Sequence, residues 1–175
     1  MNKIIIFDLD HTVINSEHRV NPCIKEGGDL DLNMYREQAC TREQVYKDTM
    51  LPLAAVMLRY IAEGTTVIVL TARHMFKHDY DFLKKQGLKT PLILSRDKLY
   101  KHFGSVKALA LYASGDAVYK GAYMDLLQSK YPDQSMIIYD DHKGVLEQAR
   151  KQGVHAVDAI HINKRIATFN AVGFS

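Results

Sequence analysis

Six polar side chains hold the chemistry of this sequence: Asp8, Asp10, Thr71, Lys120, Asp140 and Asp141. Asp8 and Asp10 flank Leu9 directly after the apolar run Ile4-Ile5-Ile6-Phe7. In an extended chain, alternation points the two carboxylates the same way and turns Leu9 back toward the core. Two carboxylates side by side at the end of a buried strand repel each other and lose hydration, and a divalent cation is the simplest compensation. Clustered carboxylate oxygens suit Mg²⁺, which prefers hard ligands, keeps waters and recruits phosphate. A hydroxyl and a lysine facing that cation can hold phosphate oxygens and spread the charge of a transferring phosphoryl group. One carboxylate can then attack phosphorus, and a second, two residues on, can donate a proton to the leaving oxygen and later take one from water. His11, His74, His78, His102 and His142 show no ligand spacing that would favour zinc. Each residue alone has an ordinary structural explanation as a turn former, helix cap or solvated charge. The joint pattern, in order along the chain, is what argues for a site.

The elements that must position these residues follow from hydrophobic pattern. Ile4–Phe7 is uniformly apolar, as expected of a strand covered on both faces. Residues 14–50 are polar and irregular, with turn signals at Asn21-Pro22 and Gly27-Gly28-Asp29 and one short helix expected over Asp29–Gln38. So long an excursion is read as a small cap or lid over the first strand's end. A helix is predicted from Thr49 as N-cap, with Pro52 in its first turn and Gly64 as its stop. Strands are predicted over 65–70, 91–95, 135–139 and 154–157, and helices over 79–86, 118–130 and 143–152. Residues 96–118 and the tail from Ile160 have no assigned structure. Strands alternating with helices predict an α/β fold: a Rossmann-like parallel sheet of about five strands, helices on both faces and a minimal cap. Ligands of such sheets gather beyond the carboxyl ends of the strands, where Asp8/Asp10, Thr71 and Asp140/Asp141 fall.

Length and composition set the outer bounds. The 175 residues are read as one domain over 1–175, with 47% apolar and 25% charged residues, ordinary for a soluble protein. A net charge of +3 permits anionic ligands without a basic arm that would mark a nucleic-acid binder. Two cysteines, Cys23 and Cys40, exclude a disulfide framework and favour a reducing compartment. The first apolar run is too short for a signal peptide and no stretch approaches a membrane span, so a cytoplasmic protein with no membrane partner is expected.

Phe7-Asp-Leu-Asp-His-Thr-Val13 resembles the Asp-x-Asp-x-(Thr/Val) signature of haloacid dehalogenase-like (HAD) phosphatases. Thr71 after Val67-Ile-Val-Leu70, Lys120 opening a helix, and Asp140-Asp141 after Met136-Ile-Ile-Tyr139 match the family's further motifs in order. The resemblance covers residues 3–158. It implies Asp8 as nucleophile and Asp10 as general acid/base. It further implies Thr71 and Lys120 as phosphate ligands, and Mg²⁺ held by Asp8, the backbone carbonyl of Asp10, and Asp140 or Asp141. His11 departs from the Gly often found there, and Lys98, Lys101 and Lys107 are rivals to Lys120.

Within that family the layout is most similar to the phosphatase half of phage-type polynucleotide kinase/3′-phosphatase enzymes, through Thr71-Ala-Arg73, the polar run 14–50 and the helix start before the double Asp. No GxxxxGK(S/T) phosphate loop of a kinase half occurs. A 3′-phosphate on a polynucleotide or nucleotide is thus the expected substrate, with Arg73 and Arg19 as substrate contacts and Arg96 and Lys98 as further candidates. The second reading is a phosphatase for nucleoside 5′-monophosphates or other small phosphomonoesters. Outside enzymes stand a receiver-like domain, whose acidic pair and phosphorylated Asp fall on other strands, and a binding-only HAD fold, which retention of both Asp8 and Asp10 disfavours.

Overall fold

In the computed structural model, which describes residues 3–28 and 30–171, the opening run forms β1 (Lys3–Phe7), with Ile4 to Phe7 all buried. The excursion that follows is pinched at its base by a two-residue antiparallel ladder between β2 (Ile14–Asn15) and β3 (Thr49–Met50). Inside it lie α1 (Glu17–Val20), a 3₁₀ turn over Asn21–Cys23, α2 (Leu32–Met34), a π-helical turn over Tyr35–Ala39, and α3 (Arg42–Val45). The single helix expected from Asp29 starts instead at Leu32, because the Asp31 carboxylate accepts from the Asn33 and Met34 amides and caps it there. Asp29 itself lies outside the described residues. Thr49 is not an N-cap: its backbone pairs with Asn15, and α4 (Leu53–Ala62) begins after Pro52.

The remainder alternates as expected through β4 (Thr66–Leu70), α5 (Lys77–Lys85) and β5 (Leu92–Leu94). The unassigned stretch is helical: a 3₁₀ turn over Arg96–Lys98, then α6 (Leu99–Phe103) and α7 (Ser105–Tyr112). Gly104, at φ 71°, separates those two helices in a conformation that costs a side-chain-bearing residue strain. Then come α8 (Asp116–Lys130), β6 (Ser135–Asp140), α9 (Lys143–Lys151) and β7 (His155–Asp158). The unplaced tail forms α10 (Ala159–Ala171). Among the described residues no helix is long and apolar enough to cross a membrane.

The parallel sheet has the order β5-β4-β1-β6-β7, with β1 in the centre. Side-chain alternation splits the core in two. Ile4 and Ile6 join Ile68, Leu70 and Ile138 under α6 to α9, while Ile5 and Phe7 join Val67 and Val69 under α4, α5 and α10. The register sets Phe7 beside both Val69 and Tyr139, so the residues that follow β1, β4 and β6 reach the same rim together.

Buried Asn163 on α10 fastens that rim to the end of the chain. Its amide nitrogen donates to the Thr12 carbonyl at 2.9 Å, and its oxygen accepts from the Leu53 amide at 2.8 Å. We expect Asn163→Ala to lower the unfolding free energy by about 2–4 kcal/mol, since both backbone groups are left buried and unpaired at about 1–3 kcal/mol each. A urea titration checks this through a lower midpoint at unchanged slope.

Candidate active site

Asp8 continues the parity of Ile4 and Ile6, which turns its side chain toward α8. Its amide still pairs with the Tyr139 carbonyl at 3.0 Å. On α8, Tyr119, Tyr123, Met124 and Leu127 form the buried stripe, and Lys120 lies within it, only 2% exposed. The Lys120 ammonium stands 2.9 Å from Asp8 and 2.7 Å from Asp140. Asp140, the last residue of β6, also accepts from the His142 amide at 2.9 Å, which fixes it at the start of α9. One oxygen each from Asp8, Asp140 and Asp141 lies within 4.8 Å of the others. Burial raises Asp8 well above the ordinary carboxylate range; Lys120 opposes this, and Asp140, Asp10 and Asp141 reinforce it. Asp141 is likewise raised, by burial and by the charge of Asp140. Burial alone would lower Lys120, yet Asp8 and Asp140 raise it, so it stays cationic. Three crowded, partly neutralised carboxylates with oxygen donors fit a hard divalent cation such as Mg²⁺.

Asp10 does not point with Asp8. The strand ends at Phe7, and the Thr12, Val13 and Ile14 amides converge on the Leu9 carbonyl at 3.2, 3.0 and 2.9 Å. This tight turn places His11 at φ 56°, a left-handed conformation that suits Gly and that His adopts at some cost. The Asp10 carboxylate accepts from Arg73 Nη2 at 2.5 Å and Nε at 3.1 Å, and from the Ser16 hydroxyl at 2.5 Å. Burial alone would raise Asp10, but Arg73 and the Ser16 hydrogen bond hold it below the ordinary carboxylate range. A carboxylate held so stays ionised and is a weak base, so it takes up or gives a proton only when the Arg73 contact loosens.

Arg73 and Arg19, expected as substrate contacts, are buried and engaged with carboxylates. Arg73 also pairs with Asp79 at 2.9 Å and with Asp48 at 3.5 Å. Arg19 donates to both Asp48 oxygens, at 2.7 and 2.8 Å, and to the Ala39 carbonyl at 3.2 Å. These arginines compensate buried carboxylates and tie residues 14–50 to Asp10. Arg96 is equally committed, donating to the Leu111, Tyr112 and Ser114 carbonyls and to Asp116. Lys98 lies over the Tyr80 ring and Lys107 over Phe103, while exposed Lys101 lines a surface cavity with Lys98, so Lys120 is the lysine of the rim. Thr71 is buried at the end of β4, its amide bonded to the Leu94 carbonyl and its own carbonyl accepting from Tyr119. The Thr71 hydroxyl accepts from the Arg73 amide at 3.2 Å, which leaves its proton to donate to an incoming oxygen.

Comparison with known proteins fits this geometry. The family profile of the bacteriophage T5 5′-deoxynucleotidase matches residues 1–172. The 5′-deoxynucleotidase of Escherichia phage T5 is 42% identical over 169 residues, spanning 93% of this chain and 69% of that protein. The chain belongs to this family. It is a phosphatase of the HAD superfamily, and solved structures show the same fold at low sequence identity. A HAD-like hydrolase from Streptococcus pneumoniae covers 93% of this chain and 91% of its own, with 14% identity and a TM-score of 0.60. A phosphoserine phosphatase in a phospho-aspartyl intermediate analogue covers 94% and 90%, with 14% identity and a TM-score of 0.52. A HAD enzyme from Bacteroides thetaiotaomicron solved as a magnesium complex covers 90% and 92%, with 8% identity and a TM-score of 0.51.

Sequence reasoning missed Asp48, Asp79 and Ser16. Asp79 carried one local sign, its place three residues after Phe76, whose amide it accepts at 2.8 Å. Asp48 carried none, because its partners are 29 and 25 positions away along the chain. We expect Asp48→Ala to destabilise the fold by about 3–5 kcal/mol, since it strands the buried Arg19 charge. Denaturant unfolding checks this, and a loss below about 1 kcal/mol would show that the pair does not sustain the segment.

Proposed function

We propose that this phosphatase removes the 5′-phosphate of deoxynucleoside 5′-monophosphates through an aspartyl-phosphate intermediate. The observation that supports the chemistry is the meeting of Asp8, Lys120, Asp140 and Asp141 at the carboxyl ends of β1 and β6. The substrate rests on the activity named for the phage T5 relative. For this reason the mononucleotide 5′-phosphate, second in the sequence reading, is preferred over a polynucleotide 3′-phosphate.

In this reading the Asp8 carboxylate attacks phosphorus, and the bond from phosphorus to the nucleoside O5′ breaks. Asp10 takes up a proton from solvent as the Arg73 contact loosens and gives it to the departing oxygen, then accepts one from the water that hydrolyses the aspartyl-phosphate. Thr71 and Lys120 hold the non-bridging phosphate oxygens. Asp8, Asp140 or Asp141, and the Asp10 backbone carbonyl would hold Mg²⁺. When bound, the ion neutralises the carboxylates and the phosphate, so that nucleophile and substrate can approach. Arg73 and Arg19 act as positioning residues: Arg73 orients Asp10, and Arg19 orients Asp48 against Arg73. Residues 14–50 serve as the cap.

Asp8→Asn is expected to lower kcat on thymidine 5′-monophosphate by at least about a thousandfold while the fold persists. Retained turnover would remove Asp8 from the nucleophile's role. Chelation should abolish activity and added Mg²⁺ restore it. Across a panel of 5′-mononucleotides, 3′-phosphorylated oligonucleotides and sugar phosphates, kcat/KM should be highest for the deoxynucleoside 5′-monophosphates.

A further inference from the structure

The leaving group of the proposed reaction must lie on the Asp10 side of phosphorus, because Asp10 supplies its proton. In residues 14–50, Tyr35 is a half-buried phenol near enough to Asp10 to feel its charge. Burial and the negative charge of Asp10 push its ionisation upward, so it stays a neutral hydroxyl. Tyr35 opens the π-helical turn, whose wider bond runs from the Cys40 amide to the Tyr35 carbonyl at 3.1 Å. Such turns cost helix geometry and recur at functional sites.

The next residue, exposed Arg36, reaches across from the cap to the catalytic domain. Its Nη2 donates to the Tyr112 hydroxyl at the end of α7, at 3.1 Å. This is its single hydrogen bond to the protein among the described residues, which leaves further N–H groups to donate. The His74 ring meets the Tyr112 ring edge-on, with centroids 5.4 Å apart and planes at 86°. Burial lowers His74, helped by Arg36 and Arg96 against Asp97, so the imidazole is neutral at neutral pH. Both rings have fixed supports. The Tyr112 carbonyl accepts from Arg96 at 3.0 Å, and the amide of Met75, beside His74, donates to Asp97 at 3.1 Å.

We propose that Tyr112, His74 and Arg36 form the subsite for the nucleobase, with the sugar passing Tyr35 on the way to phosphorus. The proposal rests on the mononucleotide reading given above. The two rings stand perpendicular, so a base that stacks on one meets the other edge to face, and the guanidinium fork offers donors to the acceptors that every base edge carries. Selection by this subsite is therefore for the presence of a base, with broad tolerance of which one. The competing role, in which Arg36 and Tyr112 merely latch the cap, needs the Tyr112 hydroxyl and is indifferent to the base.

The test compares the unaltered enzyme with Tyr112→Ala and Tyr112→Phe. The substrates are the four deoxynucleoside 5′-monophosphates, 2-deoxyribose 5-phosphate and p-nitrophenyl phosphate. Tyr112→Ala should raise KM for the nucleotides on the order of tenfold, from loss of a stacked base, with kcat within about twofold. It should leave 2-deoxyribose 5-phosphate and p-nitrophenyl phosphate unchanged. Tyr112→Phe, which keeps the ring and releases Arg36, should raise the nucleotide KM clearly less than Tyr112→Ala and match the unaltered enzyme on 2-deoxyribose 5-phosphate and p-nitrophenyl phosphate. Equal losses on substrates with and without a base, or a Phe variant as impaired as the Ala variant, would overturn the subsite in favour of the latch. An unchanged nucleotide KM in Tyr112→Ala, in an enzyme that still prefers nucleotides, would overturn the subsite alone. If the unaltered enzyme shows no preference for nucleotides over 2-deoxyribose 5-phosphate, both the mononucleotide reading and the subsite fall.

Discussion

Everything at the carboxyl rim of the sheet answers to an excess of buried negative charge. Asp8, Asp10, Asp48, Asp79, Asp140 and Asp141 gather there against three permanent cations, Lys120, Arg73 and Arg19. Six carboxylates against three cations leave a deficit that neither protein nor water supplies in so dry a setting. The cations are not shared evenly. Lys120 serves Asp8 and Asp140, while both arginines serve Asp10, Asp48 and Asp79. The deficit is thereby concentrated around Asp8, Asp140 and Asp141, where burial, reinforced by the neighbouring carboxylates, raises Asp8 and Asp141. A single electrostatic imbalance thus sorts the rim into a half whose carboxylates are each matched by arginine and a half in which three carboxylates share one lysine.

The two aspartates of the opening motif illustrate that sorting. Two residues apart in sequence, they face different cations and are driven in opposite directions, Asp8 up and Asp10 down. The divergence comes from the turn after Phe7, where three amides converge on the Leu9 carbonyl. Had the strand continued, both would share Lys120 and neither would be distinguished. Local backbone geometry, more than residue type, separates their chemistry.

This marks where the sequence was legible. β1, β4, β6 and their helices could be read because uniform apolar runs and helical spacing are local signals, and the rim followed from the topology they dictate. Lys120 could be read because its helix precedes Asp140 in the expected order. The arginine network could not: Arg19 and Arg73 look like ordinary surface or ligand-facing charges until the fold brings Asp48 and Asp79 against them. The segment 96–112 was opaque because α6 and α7 are short and a single left-handed Gly104 divides them, leaving no sustained period. Residues 17–45 were opaque for a related reason: their elements span three to five residues each and are held by Asp31, Thr41 and Arg19 side chains in place of a periodic apolar face.

The clasp made by Asn163 bears on how the enzyme comes into being. Its bond to Thr12 spans 151 positions, and the Lys120–Asp140 pair must likewise await the later strands. Chains emerge from the ribosome at about 5–20 residues per second. The turn after Phe7 is therefore without the side chain that secures it for about 8–30 s of synthesis. Polypeptides that stop short of α10 carry the signature residues without the side chain that secures their turn.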